Sequence, residues 1–391
     1  MKQKLYILIV IVAAMGCRQP YNPKPVTAAG SYLVVEGSIN TGQDSTIIRL
    51  GRTVPLSSVA GTKPELGAVV TIVSNTSSYP VIESGNGYYK APGLNLSNTG
   101  NYSLKITTTD GKVYQSDFVP VKNSPAIDSV YYRIENNGLQ LYADTHDPAN
   151  NTKYYRWDFN ETFEFHSAFQ SFDYLSTTPV DTVLPRPLSN QVYACWQNDA
   201  STDILLNSSA RLAKDVIENN PIVFIPSTSE KIGSRYSILV KQYALTADAY
   251  NYFVQLKKNT EQLGSIFDAQ PSELTGNIHC LTSPTEPVLG YITAGATAET
   301  RIFIDNRSLP AWLASSPYSG CRMDTDYFSR PVGATFVNDV QLNIYTGIDM
   351  PIYNIQPPAS PIILGYAASS PFCVDCTLRG TNVQPSFWTN E

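Results

Sequence analysis

The sequence predicts a mainly β protein: an N-terminal β-sandwich of the immunoglobulin-like or transthyretin-like kind, followed by a larger β-rich domain with one inserted helix at about 247–263. Three observations support this. Seven short strand patterns, separated by turn residues, fall within about 90 residues after Tyr32. The 25 tyrosines, with abundant Thr, Ser, Val, Asn and Gly, suit extended strands joined by polar turns. Only one segment carries a convincing helical period.

The chain opens with Lys2 and Lys4 and an apolar run from Leu5 to Ala14. As a helix that run reaches only about 15 Å, roughly half a bilayer core. Residues 1–16 therefore read as an export signal. Ala14-Met15-Gly16-Cys17 reads as a lipobox, with Cys17 the lipid-bearing residue of the mature chain. Residues 17–29 carry Pro20, Pro23 and Pro25 and read as an extended tether, which makes the membrane a partner through the lipid anchor.

The sandwich is expected over residues 30–122. Tyr32–Ile39 and Asp44–Leu50 form a hairpin about Asn40-Thr41-Gly42-Gln43, and strands follow at 68–73, 78–83, 87–90, 100–107 and 113–119. Its core is expected from Val34, Ile48, Val70, Ile72, Leu104 and Ile106, or their alternating neighbours. Pro120 to Pro125 reads as the boundary, after which the second domain takes residues 126–391. Its clearest strand, Tyr154 to Phe165, places Tyr155, Trp157, Phe159, Glu161 and Phe163 on one face and Tyr154, Arg156, Asp158, Asn160, Thr162 and Glu164 on the other. In the helix, Thr246 is the expected N-cap and Gly264 the C′ residue, while Ala249, Tyr252, Phe253, Leu256 and Leu263 form a core-facing stripe. Residues 208–219 read as a shorter helix, 340–345 as a strand, and 351–361 as an irregular proline-rich tail.

Cys195, Cys280, Cys321, Cys373 and Cys376 remain after Cys17, and an exported chain meets an oxidising compartment. Cys373-Val374-Asp375-Cys376 reads as structural, bonded within the pair or to Cys321, and the odd count leaves one thiol over. A net charge of −6 with 15% charged residues carries no nucleic-acid footprint. Catalytic signals are sparse. The three histidines, His146, His166 and His279, are far apart in sequence, and Glu161 and Glu164 point to opposite faces of one strand. Asp144-Thr-His-Asp147 lacks calcium-loop order and reads as a polar turn. No cofactor or metal is expected. Glu161, an acid on an apolar face near His166, is the main oddity.

The lipobox with the following Pro-Tyr-Asn-Pro, Leu33-Val-Val-Glu-Gly37, the Tyr155–Phe165 strand, Arg235–Tyr243, Gly264–Pro271, Gly276-Asn-Ile278 and the closing Cys-x-x-Cys and Pro385-Ser-Phe-Trp388 together resemble a family. It is the Bacteroidota outer-membrane lipoprotein family catalogued as domain-of-unknown-function family 4249. The resemblance implies an outer-membrane, cell-surface location and association with TonB-dependent nutrient-uptake transporters, but it assigns no functional residue. The expectation is a lipid-anchored, non-catalytic binding or accessory protein. The alternatives are a surface hydrolase acting on glycan or peptide, and an adhesin or envelope-structural protein. Tyr154 and Arg156, on the polar face of the aromatic strand, are the candidate partner contacts, because Tyr and Trp are favoured anchors at interfaces.

Overall fold

The computed structural model describes residues 31–54, 62–261 and 274–389. The export signal, Cys17, the tether, Leu263, Gly264 and the Gly264–Pro271 motif lie outside the described residues. The protein is mainly β, with the long helix on the face of a central sheet.

The N-terminal strands form one hydrogen-bonded path that folds around a single core. Ser78–Gly85 carries the path across. Its first half pairs with Val69–Val73 and its second half with Tyr88–Ala91, which leads on to Thr46–Arg52 and Leu33–Ser38. Asn86 and Gly87 both have positive φ, the conformation a tight hairpin turn requires. A Cβ at Gly87 would sit 2.4 Å from the Leu50 carbonyl oxygen, so glycine is needed there. Ile48, Val70, Ile72, Leu104 and Ile106 are buried as expected, but Leu33 and Val35 fill the core and Val34 turns outward. A later segment completes this unit. Ile278–Cys280 pairs with Val113–Ser116, and Leu289–Gly290 adds parallel to Leu33–Ser38. Ile278, Cys280, Val288, Ile292 and Ala294 join the same core, although they fall far beyond Pro125.

The second unit is also two-layered. Its central sheet runs Ala194–Ala200, Tyr154–His166, Arg235–Ala244, Ala298–Asp305, and Leu205–Ser208 pairs with the start of the long strand. Tyr155, Trp157, Phe159, Phe163 and Phe165 point inward from the long strand. They pack on Leu139, Leu141, Ala143, Ile217, Ile222 and Ile225 of a three-stranded sheet formed by Ile127–Glu135, Gly138–His146 and Val216–Pro226. The opposite face of the central sheet carries the helix Ala247–Glu261. The Thr246 Oγ1 accepts from Ala249 N at 3.2 Å, as an N-cap should. Ala249 and Tyr252 are its buried residues.

Three local expectations are corrected. Residues 208–219 are not helical: Leu205–Ser208 and Val216–Pro226 are strands, joined by a turn in which Ser209 donates to a buried Asp215 that also receives the Tyr155 hydroxyl. Here Ser208 Oγ accepts from Ala210 N and donates to the Lys153 carbonyl, side chain-to-backbone bonds that compete with a helix. Val340–Ile344 is a π-helical turn rather than a strand. Val340 and Ile344 are buried at i, i+4, while Leu342, which a strand would place beside them, is exposed. The segment 351–361 is only partly irregular, because Met350–Ile355 pairs with Gly365–Ser369, with a bulge at Pro351/Tyr353.

Candidate functional site

The cysteines act as staples. Cys376 bonds Cys195 across 181 residues and Cys373 bonds Cys321 across 52, so the Cys-x-x-Cys is not closed on itself. Cys373 in the short helix Pro371–Val374 ties the C-terminal segment to Cys321, and Cys376 just beyond that helix ties it to the edge of the central sheet. Cys280 is the thiol left over, buried in the N-terminal core.

Glu161 is explained by its neighbours. Lys231 Nζ lies 2.6 Å from its carboxylate and 2.9 Å from Asp199, and the Tyr236 hydroxyl donates to it at 2.8 Å. The buried Glu161 carboxylate is thus matched by a half-buried Lys231. His166 pairs instead with Glu164, 3.1 Å away, and stacks on Tyr193. His146 pairs with Asp128 at 2.7 Å and His279 with Asp117 at 3.2 Å, so each imidazole has its own carboxylate. Asp147 accepts backbone N–H bonds from Ala149, Asn151 and Thr152 and so organises a polar turn that starts at Asp147, whereas Asp144, Thr145 and His146, expected in that turn, end the strand Gly138–His146. Among the described residues no group of three His, Cys, Asp or Glu is placed to hold a metal.

A cleft of about 770 Å³ lies between the outward face of the N-terminal sheet, the polar face of the central sheet and the helix. Register builds its walls. On the N-terminal side, pairing aligns Glu36, Arg49 and Tyr88 in one row. Arg49 sits 3.2 Å from Glu36 and over the Tyr88 ring. Across the cleft, Asp158 pairs with Lys241 and Lys241 with Glu299, giving a row of alternating charge over three strands. Lys241 and Glu299 are 2.7 Å apart. In the next row Arg156 faces Tyr243. Its guanidinium carbon lies 4.4 Å from the Tyr243 ring centre and 4.7 Å from that of Phe253 on the helix, and its Nη2 donates to Asp158 at 3.0 Å. Burial, then the nearby Asp158 carboxylate, pushes the Tyr243 phenol up, and burial pushes Tyr252 to about 12, so both remain neutral hydroxyls.

Of the two expected contact residues, Arg156 lines this cleft, whereas Tyr154 packs under the helix against Tyr250 at 4.9 Å. Lys241, Tyr243 and Glu299 were not singled out from sequence, and Phe253, expected in the core-facing helix stripe, lines the cleft instead. The available signal was the alternation over residues 239–244 of the strand Arg235–Ala244, which places Lys241 and Tyr243 on one face.

The walls are held in register by a buried glutamine. Gln242 accepts from Trp157 Nε1 at 3.0 Å, and its amide nitrogen lies 3.0 Å from Ser124 Oγ, the Pro125 carbonyl and Thr145 Oγ1. Beside it, Asn123 Oδ1 accepts from Thr41 Oγ1 and from Ala296 N.

A family model described as a domain of unknown function, DUF4249, matches residues 18–301. The chain belongs to this family. Every residue lining the cleft, from Val34 to Glu299, lies inside the DUF4249 match, while the Cys321–Cys373 bridge lies beyond it. Comparison with curated proteins finds no match.

Proposed function

We propose that this DUF4249 protein is a lipid-anchored binding protein of the outer membrane, facing the cell surface, with a non-catalytic accessory role beside a TonB-dependent uptake transporter. The cleft is the part that engages the ligand. The observation that carries this reading is the cleft itself: a concavity of about 770 Å³ framed by two β-units, with aromatic rings and charged side chains ranked along its walls. Pockets of roughly 300–1,000 Å³ with a mostly apolar lining and a few placed polar groups are the usual form of a small-molecule site. Arg156, Lys241 and Glu36 each already face an opposite charge within 3.2 Å, an arrangement that orients a ligand rather than attacks one. The location is supported by the sequence: an apolar run from Leu5 to Ala14, a lipobox that ends at Cys17, and a proline-rich tether. No described helix is long and apolar enough to cross a membrane.

The test is affinity purification of the full chain from outer membranes of its native host, beside a Cys17→Ser variant. The expected result is a membrane-bound wild type that co-purifies with an outer-membrane transporter, and a variant recovered in the soluble fraction. A variant that stays in the membrane, or a wild type that purifies with no membrane protein, overturns the reading.

A further inference from the structure

The geometry points to a cationic ligand with an apolar portion as the occupant of the cleft, held between Asp44 on one lip and Asp203 on the other; this rests on the cleft being the binding site. The argument is a charge census. Five carboxylates line the cleft (Glu36, Asp44, Asp158, Asp203 and Glu299) against two cations, Arg156 and Lys241. Arg156 is 3.0 Å from Asp158 and Lys241 is 2.7 Å from Glu299, while Glu36 is matched by Arg49 at 3.2 Å. Asp44 and Asp203 remain, and neither has an ion-pair partner among the described residues. Lys257, which reaches the same turn as Asp203, is committed to the Ile204 carbonyl at 2.6 Å and to Glu261 at 3.5 Å.

The two free carboxylates come from different units. Asp44 closes the loop between Leu33–Ser38 and Thr46–Arg52, and Asp203 sits in the turn between Ala194–Ala200 and Leu205–Ser208. An anionic ligand entering here would meet both without a spare cation to receive it, because each cation of the lining is already neutralised. A positive ligand gains from both lips. The lining also carries apolar and aromatic groups, Ile47, Tyr88, Phe253, Leu256 and Leu289. Such a surface suits an aliphatic or planar body attached to the charge.

The experiment is calorimetric titration of the full chain in detergent with three end-capped tripeptides: lysine–leucine–lysine, glutamine–leucine–glutamine and glutamate–leucine–glutamate. The lysine peptide is expected to bind at least about tenfold more tightly than the neutral one, and the acidic one more weakly than either. Raising salt from about 50 to about 500 mM should erode that preference, since the lips are exposed. The double variant Asp44→Asn/Asp203→Asn should bring the lysine peptide to within about twofold of the neutral one, while Glu36→Gln, whose carboxylate already faces Arg49, should change it by less than about twofold. Both positions are on exposed turns, and an unchanged urea midpoint verifies that the double variant folds. Equal or better binding of the neutral or acidic peptide, a lysine preference that survives the double variant, or no binding of any peptide overturns the assignment. Transporter co-purification in the Cys17 experiment is read separately, so loss of this inference alone leaves the accessory role standing.

Discussion

Replacing Gln242 with leucine removes the group that joins the linker to the central sheet. The side chain is fully buried, its Oε1 receives the Trp157 indole N–H, and its amide serves Ser124, the Pro125 carbonyl and Thr145. An amide nitrogen carries two protons, so at most two of those three acceptors are served at once. Thr145 keeps its own donation to Ala126, and Ser124 retains the Pro125 carbonyl. The groups truly orphaned by Gln242→Leu are therefore the Trp157 N–H and one lone pair on Pro125. At about 1–3 kcal/mol for an orphaned buried group, and less for a carbonyl that keeps another partner, the loss is about 3 kcal/mol. The assay is urea unfolding followed by intrinsic fluorescence, with the free-energy change taken from the shift in midpoint. Gln242→Glu separates hydrogen bonding from shape. It preserves volume and the acceptor for Trp157 but replaces the donor with a buried carboxylate, whose folded pKa must rise above the unfolded value of about 4.3. Its penalty is then full above the raised folded pKa and disappears as pH falls below about 4. A Gln242→Leu cost under about 0.5 kcal/mol, or a Gln242→Glu penalty that does not respond to pH, would refute the assignment of Gln242 as the pin.

Three further outcomes are expected. Cys195→Ser/Cys376→Ser should lower stability by about 5 kcal/mol on the chain-entropy estimate for a loop closed across 181 residues, against about 4 for Cys321→Ser/Cys373→Ser across 52, a ranking checked by thermal melts of the two double variants. Lys231→Met should cost about 3 kcal/mol in urea, because it leaves Glu161 buried with only the Tyr236 hydroxyl, and adding Glu161→Leu should recover much of that loss. Burial pushes the Glu286 carboxyl up, but Lys112 at 2.6 Å and the Tyr114 hydroxyl at 2.7 Å outweigh it and hold the group below its usual range. Its stabilisation is thus complete above the unfolded value, near pH 4.5, and is lost as pH falls through the depressed folded value. Glu286→Gln should flatten that portion of the acid-unfolding curve.

Where the sequence was legible, a single period decided the structure. The alternation through Tyr102, Leu104 and Ile106 and through Tyr155, Trp157 and Phe159 survives as buried faces. The Thr246 cap and the Ala249/Tyr252 stripe likewise place the helix. The readings failed where two periods fit the same letters. Val340, Leu342 and Ile344 satisfy a strand at spacing two, and Val340 with Ile344 satisfies a helical turn at spacing four; the exposure of Leu342 shows which prevailed. Long-range partners were invisible for a different reason. Nothing local to Glu161 announces Lys231, seventy residues later, and no spacing rule chooses Cys195 over Cys373 as the mate of Cys376. The same limit hid the cleft. Arg156 was visible as a polar-face residue, but its aromatic cage needs Tyr243 from the neighbouring strand and Phe253 from the helix, brought together only by the register and the helix packing.

The pinning also bears on how the cleft works. Two β-units joined by one short linker would ordinarily be free to hinge, since interfaces between domains of a chain resemble transient contacts. Here the linker is engaged at Asn123, Ser124 and Pro125, and the chain crosses back so that Ile278–Cys280 and Leu289–Gly290 add strands to the N-terminal unit before Ala298–Asp305 returns to the central sheet. Hinging would therefore have to break the Gln242 and Asn123 bonds and strain three chain crossings instead of one. Arg49 with Glu36, Lys241 with Glu299 and Arg156 within its aromatic cage are likewise set before any ligand arrives. A site whose walls are already ordered loses little conformational freedom on binding, so on the proposed reading selectivity would fall to the rim charges, where Asp44 and Asp203 have no ion-pair partner among the described residues.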